Sequence, residues 1–102
     1  MISVDNSDLK RIVECFGSKK QTGIAQEELA ELIVAISKVN RYGLNIFGDN
    51  LYEEIADVIV MIGQLRIIFD LDDALLQEWI DKKIDRTLKH VERIENVERI
   101  YK

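Results

Sequence analysis

Apolar residues recur at intervals of three and four along nearly the whole chain, which is the period of an amphipathic α-helix. This pattern predicts four helices, over Ser7–Phe16, over Gly23–Tyr42, over Leu51–Phe69 and from just after Asp72 towards the C-terminus. No apolar and polar alternation lasts long enough to predict a strand, and the sequence contains no proline. The predicted fold class is therefore all-α, a four-helix bundle-like fold with a long C-terminal helix.

Glycines and polar residues predict where these helices begin and end. Gly17 can end the first helix in a left-handed conformation, followed by a polar connection over Ser18–Thr22. Gly43 is the predicted terminator of the second helix, and Leu44–Asn50 is a predicted loop. The predicted N-caps are Ser7, Asn50 and Asp72.

Composition narrows the class of protein. A chain of 102 residues with 47% apolar residues is long enough for one domain, predicted over residues 1–102. The net charge of -5 argues against duplex nucleic acid as a partner.

The apolar run Ile55–Phe69, expected to be buried on several sides, is too short to span a membrane, which needs ~20 residues. The lone Cys15 excludes an internal disulfide, and Met1–Asp8 does not resemble a signal peptide, so we expect a cytoplasmic protein.

The C-terminal helix is long for so small a chain. If it continues to the end, it spans roughly 40 Å at about 1.5 Å per residue, whereas a compact domain of ~100 residues has a radius of gyration near 13 Å. An overhanging helix predicts packing against another subunit, as a homodimer or homotetramer.

Two related acidic segments, Glu27–Glu31 (EELAE) and Glu53–Asp57 (EEIAD), lie on the second and third helices. Residues three apart share one face of a helix, and here that face borders the apolar stripe, while Glu53 is expected to point away from it. Two facing helices would then bring four carboxylates together, those of Glu28, Glu31, Glu54 and Asp57.

Such a gathering of like charges has an energetic cost. Two carboxylates ~5 Å apart repel by about 3 kcal/mol at an effective dielectric constant of 20. Protonation, exposure to solvent or bound cations can relieve that repulsion, and a solvated acidic helix face is the plain alternative. Oxygen ligands without thiolate or imidazole suit Mg²⁺ first, then Mn²⁺ or Ca²⁺. His90 is too far along the chain to complete a zinc or di-iron set.

The two acidic segments resemble the signature of the MazG-like nucleotide pyrophosphohydrolases, of the all-α NTP pyrophosphatase superfamily. The resemblance extends to Gly17 and Gln21 before the first segment and to Lys83 and Arg86 in the last helix, so it covers nearly the whole chain. It implies a MazG-type fold with its active site on the two central helices. It also implies Mg²⁺-dependent hydrolysis of a nucleoside triphosphate to a monophosphate and pyrophosphate, for nucleotide-pool housecleaning, with Mn²⁺ as a substitute metal.

The resemblance also implies roles for particular residues. The metal ligands would be Glu28, Glu31, Glu54 and Asp57. Glu27 would orient or deprotonate the attacking water, which makes Glu27 and Glu31 the expected catalytic acids. The expected substrate contacts are Gln21 for a base edge and Lys38, Lys83 and Arg86 for phosphates, with Lys82 as an alternative phosphate contact and Trp79 as a stacking platform.

Two alternatives remain open at this point. One is a superfamily relative that acts on another pyrophosphate bond, such as that of phosphoribosyl-ATP. The other is a catalytically inactive helical module that dimerises or binds a partner. The presence of all four acids argues against such inactivity. The preferred base and sugar are not predicted.

Overall fold

The computed structural model describes residues 1–101, which form four α-helices. Helix α1 covers Asn6–Phe16, α2 Ser18–Tyr42, α3 Leu44–Ile68 and α4 Asp73–Tyr101. No strand occurs within residues 1–101. The predicted all-α class with four helices is confirmed.

The chain divides into two compact units. The first is Met1–Asp70, in which α2 packs along α3 and α1 contacts both. The second begins at Leu71 and contains α4. The assignment of residues 1–102 to one domain stays a prediction.

Single glycines join the first three helices. Gly17 has φ 89° and ψ 152°, and Gly43 has φ 95° and ψ 156°. This backbone region is essentially restricted to glycine. The N–H groups of Gly17 and Gly43 donate to the carbonyls of Val13 and Val39, each at 2.8 Å. Both glycines therefore end their helices as predicted, and the second joins α2 and α3 into a helical hairpin.

The two longer connections predicted around these glycines are wrong. Ser18–Thr22 forms the first turns of α2, and Leu44–Asn50 forms the first turns of α3. Neither segment contains a proline, and one glycine is enough to reverse the chain, so the remaining residues continue as helix. Gly48 lies inside α3, where it is buried against the side chain of Leu44.

Of the three predicted N-caps, one is confirmed. Asp72 Oδ1 accepts hydrogen bonds from the N–H groups of Ala74 at 2.8 Å and Leu75 at 3.3 Å, so the predicted cap of α4 is confirmed. Asp5, and not Ser7, caps α1, because Asp5 Oδ1 accepts from the Ser7 N–H at 2.8 Å. Asn50 lies within α3 and caps nothing.

The core of the first unit is small. Its buried apolar residues are Leu9, Val13, Ala25, Ala35, Val58 and Met61. Alanines on α2 leave room for close approach of a neighbouring helix, and Gly63 of α3 lies directly against the Leu9 side chain. Burial of Ile55–Phe69 on several sides is only partly observed, since Ile62 is 47% and Phe69 61% exposed.

Helix α4 carries its apolar residues in an exposed stripe. It is 29 residues long, about 43 Å at 1.5 Å per residue, and contains no buried residue. Its stripe consists of Ile80, Ile84, Leu88, Val91 and Ile94, all at least 39% exposed. Among the described residues, no helix combines the length and apolar character that crossing a membrane requires.

Candidate metal centre

Carboxylates from α2 and α3 converge at one place in the hairpin. Glu28, Glu31 and Glu54 each offer an oxygen within 4.8 Å of the other two, and Glu53, Glu54 and Asp57 do the same. Glu54 belongs to both groups and links them. The convergence expected from the two acidic segments is therefore present, while the role of these residues as ligands stays a prediction.

The antiparallel course of the hairpin explains why these residues meet. Glu28 interacts directly with Asp57, and Glu31 lies beside Glu54. Moving three residues forward on α2 thus corresponds to moving three residues back on α3. Because residues three apart share a helix face, both pairs lie on the same side of the hairpin.

Burial distinguishes the members of the cluster. Glu54 is only 7% exposed, Glu28 and Asp57 are half-buried, and Glu31 and Glu53 are exposed. The Oε2 atoms of Glu28 and Glu54 are both buried and have no hydrogen-bond partner. Buried carboxylate oxygens normally accept hydrogen bonds, so these two atoms are available to an electropositive ligand.

The electrostatics of the cluster disfavour its fully ionised form. Burial raises the pKa of Glu28 to about 7, helped by its hydrogen bond with Asp57 and by the charges of Asp57, Glu31 and Glu54. Burial is also the largest cause of the raised pKa of Glu54, and the charges of Glu31, Asp57 and Glu53 raise it further. The hydrogen bond with Glu28 lowers this pKa by a smaller amount. Without a cation, Glu28 is therefore partly protonated near neutral pH.

The donor set fits a hard divalent cation. Every candidate ligand atom is a carboxylate oxygen, the donor that Mg²⁺ and Mn²⁺ prefer. The unpartnered oxygens of Glu28 and Glu54 supply coordination sites from both helices. A bound dication would displace the proton held by Glu28 and neutralise the repulsion that, after burial, contributes to the two raised pKa values.

Glu53 was expected to point away from this face, and that expectation is wrong. Its carboxylate comes within 4.8 Å of those of Glu54 and Asp57. The signal was present in the sequence, because Glu53 and Asp57 are four residues apart and such residues are neighbours on a helix surface. Glu53 is exposed and extends the cluster towards solvent.

Glu27 lies outside the two groups of converging oxygens. It is exposed and lines a groove of about 870 Å³ at the junction of α1 and α2. Phe16, Lys19 and Lys20 line the same groove, and Lys20 Nζ lies 4.9 Å from the centre of the Phe16 ring. The expected role of Glu27 in orienting the attacking water stays a prediction.

Gln21 is not a connection residue. It is buried within α2, 4% exposed, and its Nε2 donates to Gln64 Oε1 at 2.8 Å. Gln64 lies within the apolar run Ile55–Phe69, and the sequence alone assigns it no role. The amide donor expected to contact a base edge is therefore engaged inside the hairpin.

The remaining expected substrate contacts are all exposed. Lys38 Nζ lies 5.6 Å from the centre of the Phe47 ring. Lys83 and Arg86 belong to the second unit, on α4, and their contact with phosphates stays a prediction. Trp79 is 56% exposed, with Lys82 Nζ 5.1 Å from its ring centre.

Comparison of the chain with protein-family models, with curated proteins and with solved structures finds no match.

Proposed function

We propose that the carboxylate cluster of α2 and α3 holds Mg²⁺ and that the protein hydrolyses nucleoside triphosphates to monophosphates and pyrophosphate. The observation that carries the proposal is the buried, unpartnered Oε2 of Glu54 at the centre of converging acids from two helices. The choice of reaction is supported by the resemblance of the two acidic segments to those of MazG-like pyrophosphohydrolases.

The charge of the substrate agrees with such a site. A triphosphate carries about four negative charges at neutral pH, and this chain has a net charge of -5, so the two repel unless a cation intervenes. Bound Mg²⁺ would supply that positive charge and polarise the phosphoryl oxygens. Glu28, Glu54 and Asp57 would hold the metal from the inner side of the cluster, while exposed Glu31 completes the set at its solvent edge.

The groove at the junction of α1 and α2 is our candidate for the rest of the nucleotide. Glu27 lines it and lies one helical turn before Glu31, a member of the carboxylate cluster. Phe16 is 52% exposed there and offers an aromatic surface for a base. Lys19 and Lys20 add positive charge beside it for phosphates.

A pyrophosphate-release assay over canonical and damaged NTPs and dNTPs, with and without Mg²⁺, tests the proposal. We expect release from the wild type only with the metal. Glu54→Gln should abolish it, while the control Glu14→Gln, an exposed acid on α1, should retain it. Far-UV circular dichroism should show the same helix content in both variants. Wild-type rates in Glu54→Gln, or no release from any nucleotide, would overturn the assignment.

We also propose that the protein self-associates as a homodimer or homotetramer. Large apolar side chains are exposed in both units, including Ile33 at 67%, Ile46 at 69% and Ile84 at 54%. Extensive exposure of large apolar side chains is typical of interaction surfaces. Sedimentation should show a dimer or tetramer, and a monomer at high micromolar concentration would contradict the proposal.

A further inference from the structure

Two glutamines form a buried polar contact in the seam where α2 faces α3. Gln21 on α2 is 4% exposed and Gln64 on α3 is 2% exposed. Gln21 Nε2 donates to Gln64 Oε1 at 2.8 Å, and Gln64 Nε2 donates to Met61 Sδ at 3.4 Å. Gln21 Oε1 is buried without a partner. The seam thus contains an incompletely satisfied polar pair where apolar residues would pack without that cost.

The two glutamines lie on the same faces of α2 and α3 as Glu28 and Asp57, two helical turns away. Glu28 lies seven residues after Gln21 on α2, and Asp57 lies seven residues before Gln64 on α3. Seven residues make two helical turns and return to the same face. The Gln21–Gln64 contact and the Glu28–Asp57 contact are therefore successive layers of one antiparallel seam, and the Glu31–Glu54 pair is the next layer.

An apolar seam alone specifies this alignment weakly. Ala25, Ala35 and Val58 can pack against other apolar side chains if one helix slides along the other. A slide of seven residues moves α2 by about 10 Å along α3, which would separate Glu28 from Asp57. Buried polar residues are known to fix the register of paired helices, because a shifted register leaves them facing apolar groups.

We propose that Gln21 and Gln64 are positioning residues that fix the register of α2 on α3 and thereby align the carboxylates of the metal centre. The contact acts through the backbone of the two helices, since neither glutamine belongs to the converging acids. The metal part of this inference rests on the proposed function, whereas the register itself can be measured without metal.

The test removes both amides at once. The variant Gln21→Met/Gln64→Met keeps side chains of similar length and leaves no buried donor or acceptor at either position, so its thermal stability should equal or exceed that of the wild type. Gln21→Leu/Gln64→Leu is a second variant in case the first does not fold. Gln26→Leu, at an exposed position of α2, is the matched control.

Two readouts separate a positioning role from a merely structural one. Spin labels at Ser37 and Ile62, both exposed, report the register by their distance in a Cys15→Ser background. In the double variants this distance should broaden or shift by about 5–10 Å, the displacement of one or two helical turns. The Mg²⁺ concentration at half-maximal thermal stabilisation should rise at least tenfold, as is typical when residues supporting metal ligands are lost.

The outcomes distinguish this inference from the proposed function. An unchanged label distance in both double variants, or unchanged Mg²⁺ dependence despite a shifted distance, would overturn the positioning role. A wild type that shows no stabilisation by Mg²⁺ would overturn the metal site, while the label distance would still decide whether the glutamines set the register. Gln26→Leu should match the wild type in both measurements.

Discussion

The glycine junction between α2 and α3 gives a quantitative test of the hairpin. Gly43 has φ 95° and ψ 156°, and apart from its two chain neighbours no residue has a heavy atom within 4 Å of the position that a Cβ would occupy. Gly43→Ala should therefore lower the free energy of unfolding through backbone strain and not through a steric clash of the new Cβ. Non-glycine residues in this region are strained by about 1–3 kcal/mol. A loss of about 2 kcal/mol lowers the melting temperature of a domain of this size by about 10 °C.

Gly23→Ala is the matched control, with the opposite expected sign. Gly23 lies inside α2 with ordinary helical backbone, and its Cβ position is also open. Alanine is favoured over glycine in a helix interior by about 1 kcal/mol, so the melting temperature should rise by about 5 °C. The same substitution thus destabilises at one glycine and stabilises at the other, with no difference in packing.

The measurement is thermal unfolding followed by circular dichroism at 222 nm, at one protein concentration and without added metal. Gly17→Ala should behave like Gly43→Ala, because Gly17 has φ 89° and ψ 152°. If Gly43→Ala were as stable as Gly23→Ala, the one-residue junction would be wrong. A longer connection of the kind predicted from the sequence would then be the better description.

Three further predictions concern the carboxylate cluster. The pKa of Glu28 is about 7 in the folded protein against 4.5 for an ordinary glutamate, so the unfolded chain releases that proton first as the pH rises. Metal-free wild type should therefore lose stability relative to Glu28→Gln between about pH 4.5 and 7, and a constant difference in melting temperature across that interval would refute the shift. Glu28→Gln should be more stable than the wild type at pH 8 without metal yet gain nothing from 10 mM Mg²⁺, which should stabilise the wild type; equal stabilisation of both would remove Glu28 from the ligand set. A zinc-selective chelator should leave pyrophosphate release unchanged in excess Mg²⁺, and inhibition would contradict the all-oxygen site.

Helical periodicity predicted the number and class of the elements because it reflects local backbone geometry. Residue type predicted the helix ends at Gly17 and Gly43, whose backbone conformations few other residues adopt, and the cap at Asp72, whose side chain acts within its own turn. The convergence of the acids followed from the same periodicity applied to two helices.

The lengths of the connections could not be predicted in the same way. The polar segment Ser18–Thr22 has a composition that suits either a loop or an exposed helical turn. What distinguishes the two is the contact of Gln21 with Gln64, a residue distant in sequence. The same limit applies to Leu44–Asn50, where Gly43 just before the segment and Gly48 within it suggested a loop, although of these two glycines only Gly43 adopts a positive φ.

Both halves of the carboxylate cluster lie in one helical hairpin, between Glu28 and Asp57. Contacts between residues so near in sequence require closure of only a short loop, and topologies dominated by such contacts fold within microseconds to milliseconds. A nascent or refolding chain can therefore assemble these acids early, before more distant segments have docked. Cation concentration during refolding would then influence the folding rate as well as the final stability, because the repulsion among the acids must be overcome as the hairpin closes.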